Sequence, residues 1–365
     1  MQSLGIGTLF LVRRILLLIT DLEIGGTPTV VRELAMRLHR QPGIEIHVAC
    51  LASWGPVADQ LRQAGVQVTA LDARSITDLG VVSRLSKLIA QHSLDTVFSF
   101  LIHANTIAAA SSLTHRGVRY IQSIQTTQPR PRWHWWLQGV IHVAADTIVV
   151  PSPSVAQVAE QWAGIPRSKI VVIPNAVEMG EYQRGCPSRQ VDPPVPIGFI
   201  GRLDPIKRLP DLLDAVKLLA GKVHLHIFGD GRERPIIESR IQALAITPWV
   251  TLHGSIPNPH QALSQIDLLV LPSEAEGFGL VLIEAMAARI PVIATNVPGI
   301  RDVVQDRQTG LLVPVAQPQA FADAIAKLTA DAPLRSTLVA QAFQDVNNRF
   351  SWDAVLPQYL RLLQL

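Results

Sequence analysis

A chain of 365 residues is longer than one hydrophobic core usually serves, so two domains are expected. Hydrophobic residues make up 48% and charged residues 17%, which excludes a disordered chain. Two isolated cysteines, Cys50 and Cys186, exclude a readable disulfide framework or cysteine metal site, and a net charge of +3 with no concentrated basic stripe excludes a nucleic-acid partner.

The first stretch, Leu4 to Thr20, is apolar but interrupted by Arg13 and Arg14, and the run before them is too short to span a bilayer. No small-residue cleavage site follows a basic segment, so a signal peptide fits poorly. The segment from Arg14 to Thr20 reads as a buried first strand preceded by a loose leader. Further strands are expected at Ile44–Leu51, Val66–Leu71, Thr96–Phe100, Arg119–Ser123 and Thr147–Pro151. Helices are expected between them at Pro28–Arg40, Val57–Ala64, Val81–His92 and Ala104–Leu113. Continuous apolar strands alternating with helices mean a parallel sheet covered on both faces. After Pro193-Pro194-Val195-Pro196 a second series begins, with strands at Ile197–Ile200, His224–Phe228, Val250–Leu252, Leu268–Leu271 and Pro291–Ala294. Its helices are Leu209–Ala220, Glu233–Leu244, Leu280–Ala288 and Gln319–Thr329. The segment Asn175 to Pro196, rich in Pro, Gly and polar residues, reads as the connection. Two doubly wound α/β domains follow, with a site expected between them at the carboxyl ends of the strands.

Neither Gly5-Ile-Gly7 nor Gly229-Asp-Gly231 completes a dinucleotide fingerprint, since Phe10 and Arg234 stand where the third glycine belongs. The richest segment runs from Pro272 through Glu276-Gly277-Phe278-Gly279 to Glu284-Ala-Met-Ala287. A strand, a glycine turn and a helix start present backbone N–H groups to an anion. Glu276 and Glu284 suit sugar or ribose hydroxyls. Diphosphate needs cations, and Arg202, Lys207 and Arg208 supply them at the end of the second domain's first strand.

These motifs, Gly201-Arg-Leu…Lys207, Phe228-Gly-Asp-Gly231, Pro272-Ser…Glu276-Gly-Phe-Gly…Glu284-Ala-Met-Ala and Thr309-Gly-Leu-Leu-Val-Pro314, resemble glycosyltransferase family 4 throughout the second domain. In the first domain the likeness is looser and rests on Gly25-Gly26-Thr27, Phe98-Ser-Phe-Leu-Ile-His-Ala-Asn105 and Val172-Ile-Pro-Asn-Ala-Val177. The resemblance implies the GT-B architecture: two Rossmann-like domains facing across a cleft. Residues 1–178 would form the acceptor side, completed by a terminal helix at about 350–365. Residues 179–196 would be the linker, and 197–349 the nucleotide-sugar donor side.

It further implies a retaining transferase that moves a sugar from a nucleotide-diphosphate donor, in glycan, polysaccharide or glycolipid synthesis, with no cofactor and no metal. By motif, Arg202 and Lys207 would stabilise the leaving diphosphate, Glu276 would contact the transferred sugar and Glu284 the ribose. The amides of Gly277, Phe278 and Gly279 would seat sugar and phosphate, Gly25 and Gly26 would admit the phosphates, and His253 and Ser255 would border the base. His103 is the catalytic histidine candidate, although Phe98-Ser-Phe100 stands where relatives often carry His-x-His. Relatives commonly have glycine near Arg289 and an acidic residue near Arg301.

Two other features have alternative readings. His224-Leu-His226 places two imidazoles on one strand face with no third ligand, which favours packing over metal. Arg130-Pro-Arg132-Trp133-His-Trp-Trp136 has the aromatic and cationic character of an interfacial segment or an acceptor groove, and core tryptophans explain it equally well. The mildly basic first half, 16 Lys and Arg against 12 Asp and Glu in residues 1–185, suits an anionic partner such as a membrane surface or a phosphorylated acceptor, with ordinary surface charge scatter as the plainer reading. Two isolated cysteines suit a reducing compartment, so a cytoplasmic protein is expected, with peripheral contact at the inner membrane face as an option. The rival functions are a nucleotide-sugar epimerase or hydrolase of the same fold, and a non-catalytic sugar-nucleotide binder.

Overall fold

The computed structural model describes residues 12–75, 78–181, 193–256 and 259–364. The leader with Gly5-Ile-Gly7, and positions 182–192 of the expected connection, lie outside the described residues. Two compact units are present. The first takes in Met1–Gln125, Arg130–Val150 and Val158–Val171; the second takes in Thr126–Pro129, Pro151–Gln157 and Val172–Leu365.

The first sheet has seven strands: β1 (Arg13–Ile19), β2 (Ile44–Cys50), β3 (Gln67–Ala70), β4 (Thr96–Phe100), β5 (Arg119–Ser123), β6 (Thr147–Val150) and β7 (Ile170–Val172). Their order is β3-β2-β1-β4-β5-β6-β7, parallel from β3 through β6. Ile15 to Ile19 of β1 are fully buried, because Leu16 and Leu18 join a core with Ala49, Leu85 and Val97 under the covering helices. Such a strand has no polar face to alternate with, and it therefore reads as one apolar run.

The second sheet has six strands, β8 (Val195–Ile200), β9 (Val223–Phe228), β10 (Val250–Gly254), β11 (Leu268–Leu271), β12 (Val292–Thr295) and β13 (Leu311–Val313). All are parallel, in the order β10-β9-β8-β11-β12-β13. In each sheet the strand order reverses beside the first strand, between β1 and β4 and between β8 and β11. Connections leave such a point toward opposite faces and open a crevice outside the carboxyl ends.

Two strands, β7 and β13, add to those expected, because three residues are too short for a period-2 signal. Helices at Trp133–Ile141, Pro153–Ala163 and Ala332–Arg349 add likewise. The last of these is capped by the Asp331 carboxylate, which accepts from the Leu334 N–H, with Pro333 in the first turn. The terminal helix Trp352–Leu363 is capped by Ser351 and falls within the second unit. The backbone around Val177 is bonded to that entry, through Val177 N–H to the Phe350 carbonyl at 2.8 Å and Trp352 N–H to the Val177 carbonyl at 3.3 Å.

Candidate functional site

At the β8/β11 reversal two loops emerge side by side. From β8 the chain runs through Gly201–Arg208, and from β11 it runs through Pro272–Gly279 into the helix Leu280–Ala287. The Glu274 N–H donates to the Ile206 carbonyl at 2.8 Å and joins the loops directly. Arg208 stands in the left-handed region at φ 49° and caps the helix Leu209–Leu218, its guanidinium held by Asp211 at 2.7 Å. Lys207 just before it thereby turns onto the neighbouring loop.

The Lys207 ammonium is ion-paired with Oε1 of Glu276, and the Ser273 hydroxyl donates to the same oxygen at 2.7 Å. Their side chains are only 19% and 12% exposed, so solvent and salt screen this pair less than a surface pair. Arg202, by contrast, is 70% exposed and only loosely paired with Asp204 at 3.7 Å, while Arg232 approaches the same carboxylate at 3.3 Å. A held lysine and an exposed, loosely paired arginine therefore flank one loop.

The glutamate loop is pinned through its backbone. The Thr127 hydroxyl donates to the Glu276 carbonyl at 2.7 Å, and the Ser152 hydroxyl to the Gly277 carbonyl at 3.0 Å. Both residues lie in segments that belong to the second unit. The Thr295 hydroxyl donates to the Ser273 carbonyl. Gly299 closes the loop from the other side: at φ 84° it sits so close that a Cβ would stand 2.0 Å from the Glu276 carbonyl oxygen. Phe278 turns inward, buried edge-to-face against Phe350 at 5.3 Å. Gly279, in the left-handed region at φ 81°, is the N-cap of the helix that carries buried Glu284. The helix start supplies unpaired N–H donors and positive potential at this turn.

The first unit repeats the arrangement at β1/β4. Gly25 caps the helix Gly26–His39, and a Cβ at Gly26 would meet nothing within 4 Å, so packing does not demand glycine there. His103 lies in the first turn of the helix Ile102–Ser112, half-buried, with Trp133 and His134 rings 6.3 and 6.4 Å away. Burial and the nearby His103 hold His134 below its ordinary pKa. Asn105, two residues on, is buried in a polar chain: Ser99 donates to it at 2.8 Å, and its amide donates to the Ser123 carbonyl and to Gln138. Fixing the sheet-to-helix junction is its role, since no face is left for a ligand.

His253 on β10 is exposed, stacked on Phe228 at 4.2 Å, with Nε2 2.9 Å from Nδ1 of His226. His224 is instead bonded to Thr251 at 2.8 Å. Burial and neighbouring imidazoles hold His226 and His253 below the usual histidine range. Among the described residues no group of three or more His, Cys, Asp or Glu side chains is arranged to hold a metal. Ser255 follows β10 and is exposed. Arg289 occupies the left-handed region at φ 59°, which explains why glycine would suit the position; its guanidinium lies 3.7 Å from the Phe343 ring centroid. Arg301 is exposed.

Sequence reasoning missed Thr127 and Ser152. Nothing in a threonine or serine far along the chain signals a bond to one particular carbonyl.

Comparison with known proteins bears on the family and the fold. Residues 24–181 match the family described as Glycosyltransferase Family 4, and residues 188–345 the family described as Glycosyl transferases group 1. A capsular polysaccharide biosynthesis glycosyltransferase of Staphylococcus aureus, CapM, is 34% identical over 176 residues, 46% of either chain. A D-inositol 3-phosphate glycosyltransferase of Xylanimonas cellulosilytica is 30% identical over 244 residues, 62% of this chain and 58% of the relative. The matched segments thus span about half the length of these relatives. Among solved structures, Anabaena HepE in complex with UDP and glucose superposes with a TM-score of 0.87 at 21% identity, covering 96% of this chain and 99% of that one. At that identity the likeness establishes the fold, two parallel α/β sheets of the GT-B type.

Proposed function

This chain belongs to glycosyltransferase family 4, and from that premise we propose that it transfers a sugar from a nucleotide-diphosphate donor to a hydroxyl acceptor. The single observation that carries the reading is the Lys207–Glu276 pair, set beside an exposed Arg202 and the start of the Leu280–Ala287 helix. Cleavage of the sugar–phosphate bond leaves negative charge on the diphosphate. Lys207 is the held charge where that charge grows, which is where preorganised electrostatics lowers a barrier most, and the exposed Arg202 is a second cation that closes on the diphosphate when donor binds. Two cations and a helix end supply this stabilisation from protein groups, so no metal is needed in the step. Glu276, already holding Lys207, orients the sugar hydroxyls. Glu284 accepts from the ribose, and the amides of Gly277, Phe278 and Gly279 seat the sugar and phosphate.

We assign retention of configuration. The C1–O bond to phosphate breaks while the acceptor oxygen bonds to C1 on the same face, and the acceptor's proton passes to the departing phosphate oxygen. Glu276 is not a nucleophile in this scheme: with Oε1 held by Lys207 and Ser273, it orients the sugar while the acceptor oxygen attacks C1 directly. Gly25 and Gly26 admit the donor phosphates, and His253 and Ser255 border the base. His103 contacts the transferred sugar; its neighbours Trp133 and His134 give it an aromatic, partly dry setting. Polysaccharide or glycolipid synthesis at the inner face of a membrane is the setting this implies. No helix among the described residues is long and apolar enough to cross a membrane; the contact proposed is peripheral.

The deciding experiment is a thermal-shift screen with nucleotide-sugars and nucleoside diphosphates, with and without chelator, followed by NMR of the product anomer. Stabilisation by one donor that survives chelation, and a product with the donor's configuration, support the reading. No stabilisation by any nucleotide would sink the donor site, and an inverted product would sink the retaining step.

A further inference from the structure

We propose that the helix Trp133–Ile141 and the turn after it form a docking face for an anionic lipid bilayer. This deepens the peripheral placement proposed above and is independent of the donor chemistry. The helix has two apolar faces. Trp135 and Ile141 point inward with Gln138, and Trp135 packs edge-to-face on Trp162 at 5.4 Å. Trp133, Trp136, Val140 and Val143, spaced by three, four and three residues, form the outward stripe, exposed by 50, 71, 51 and 72%. Helical residues so spaced share one side of the cylinder, so their exposed surface is continuous rather than scattered.

Charge decides the occupant. Residues 96–145 contain no Asp or Glu, yet they hold Arg116, Arg119, Arg130 and Arg132 and four histidines. Exposed Arg130 and Arg132 precede the helix, and Lys169 stands at its other end, donating to the Ala145 carbonyl at 2.8 Å. The stripe is therefore apolar along its length and cationic where the helix begins; at its other end Lys169 is bonded to helix-end carbonyls and the exposed Asp146 follows. A helix lying in the interface plane uses this composition: tryptophans settle at headgroup depth while cations meet anionic headgroups. A second protein chain would be an alternative cover, but the exposed Arg130 and Arg132 at the start of the stripe, in a stretch without acidic residues, match a lipid surface of negative sign. Such docking places His103, beside Trp133, close to the membrane, where an acceptor bearing a lipid chain would be presented.

The test is sedimentation of the full chain with vesicles of phosphatidylcholine alone or mixed with phosphatidylglycerol. Trp136→Ser and the pair Arg130→Glu with Arg132→Glu serve as variants, since none of these residues is among those assigned to the donor site. The expected result is at least tenfold tighter binding to the anionic vesicles, weakened by salt, and reduced about tenfold by either variant. Melting temperature and the donor-induced thermal shift should stay unchanged in both. Equal sedimentation of wild type and variants, or no preference for phosphatidylglycerol, would overturn the proposal. So would self-association abolished by Trp136→Ser without vesicle binding, which would assign the face to a second copy. Loss of the donor shift in wild type would instead count against the transferase reading and leave this result standing.

Discussion

Lys207 and Glu276, sixty-nine positions apart, form one largely buried ion pair at the point where the second sheet reverses its strand order. Neither residue is held by its own element alone. The left-handed Arg208 turns Lys207 toward the neighbouring loop, and Thr127, Ser152 and Gly299 fix the backbone that carries Glu276.

Replacing Lys207 with Ala should lower kcat by about 10²–10³, the scale of losing one preorganised stabiliser of a leaving charge. It also strands the Glu276 carboxylate and should cost about 1–3 kcal/mol of stability. Steady-state kinetics beside a denaturant curve separate the two effects. A double-mutant cycle with Glu276→Gln should be strongly non-additive, and additivity would mean the pair does not act as a unit.

Gly299→Ala should cripple the site from outside it. The position has φ 84°, and the new Cβ would meet the Glu276 carbonyl oxygen at 2.0 Å, so the loop must move. Activity should fall by about tenfold or more, because a shift near 1 Å in a positioning element is costly. Near-normal kinetics would show that the loop tolerates displacement.

Thr127→Val keeps the side chain's shape and removes one donor. The expected loss is about 1 kcal/mol of stability, with a several-fold fall in kcat/KM from a loosened Glu276. A stability loss without a kinetic effect would limit Thr127 to a structural role.

Glu284→Ala should raise the KM for the donor by about tenfold, equivalent to about 1.4 kcal/mol, and change kcat less. An equal fall in kcat and kcat/KM would instead place Glu284 in the bond-breaking step.

Acid should unfold the first unit partly through His47. Burial, and then the His92 ring beside it, pull its pKa from 6.5 down to about 4. The unfolded chain takes up a proton near pH 6.5 while the folded state stays neutral, so this contribution is complete above 6.5 and lost as pH falls toward 4. It amounts to on the order of 3 kcal/mol. His47→Gln, which can still reach Thr69, should flatten the dependence of stability on pH between 4 and 6.5. An unaltered slope would assign the acid sensitivity elsewhere.

The sequence by itself determined the elements whose pattern is local. Apolar runs such as Ile15–Ile19 and Leu268–Leu271 are buried on both faces, so they need no partner to be recognised as strands. The residue types at 202, 207, 276 and 284 also declared their chemistry, because cations beside a glycine turn and two carboxylates suit few ligands. Short β13 and the capped helix Ala332–Arg349 were less legible, since three residues carry no period and a cap is only one residue long. Tertiary structure alone decided that Lys207 meets Glu276, that Asn105 is a buried brace, and that Trp135 packs while Trp133 and Trp136 face out. Each depends on what the fold brings alongside: a side chain's partner across sixty or a hundred residues is set by strand order and helix rotation, and no local spacing encodes either.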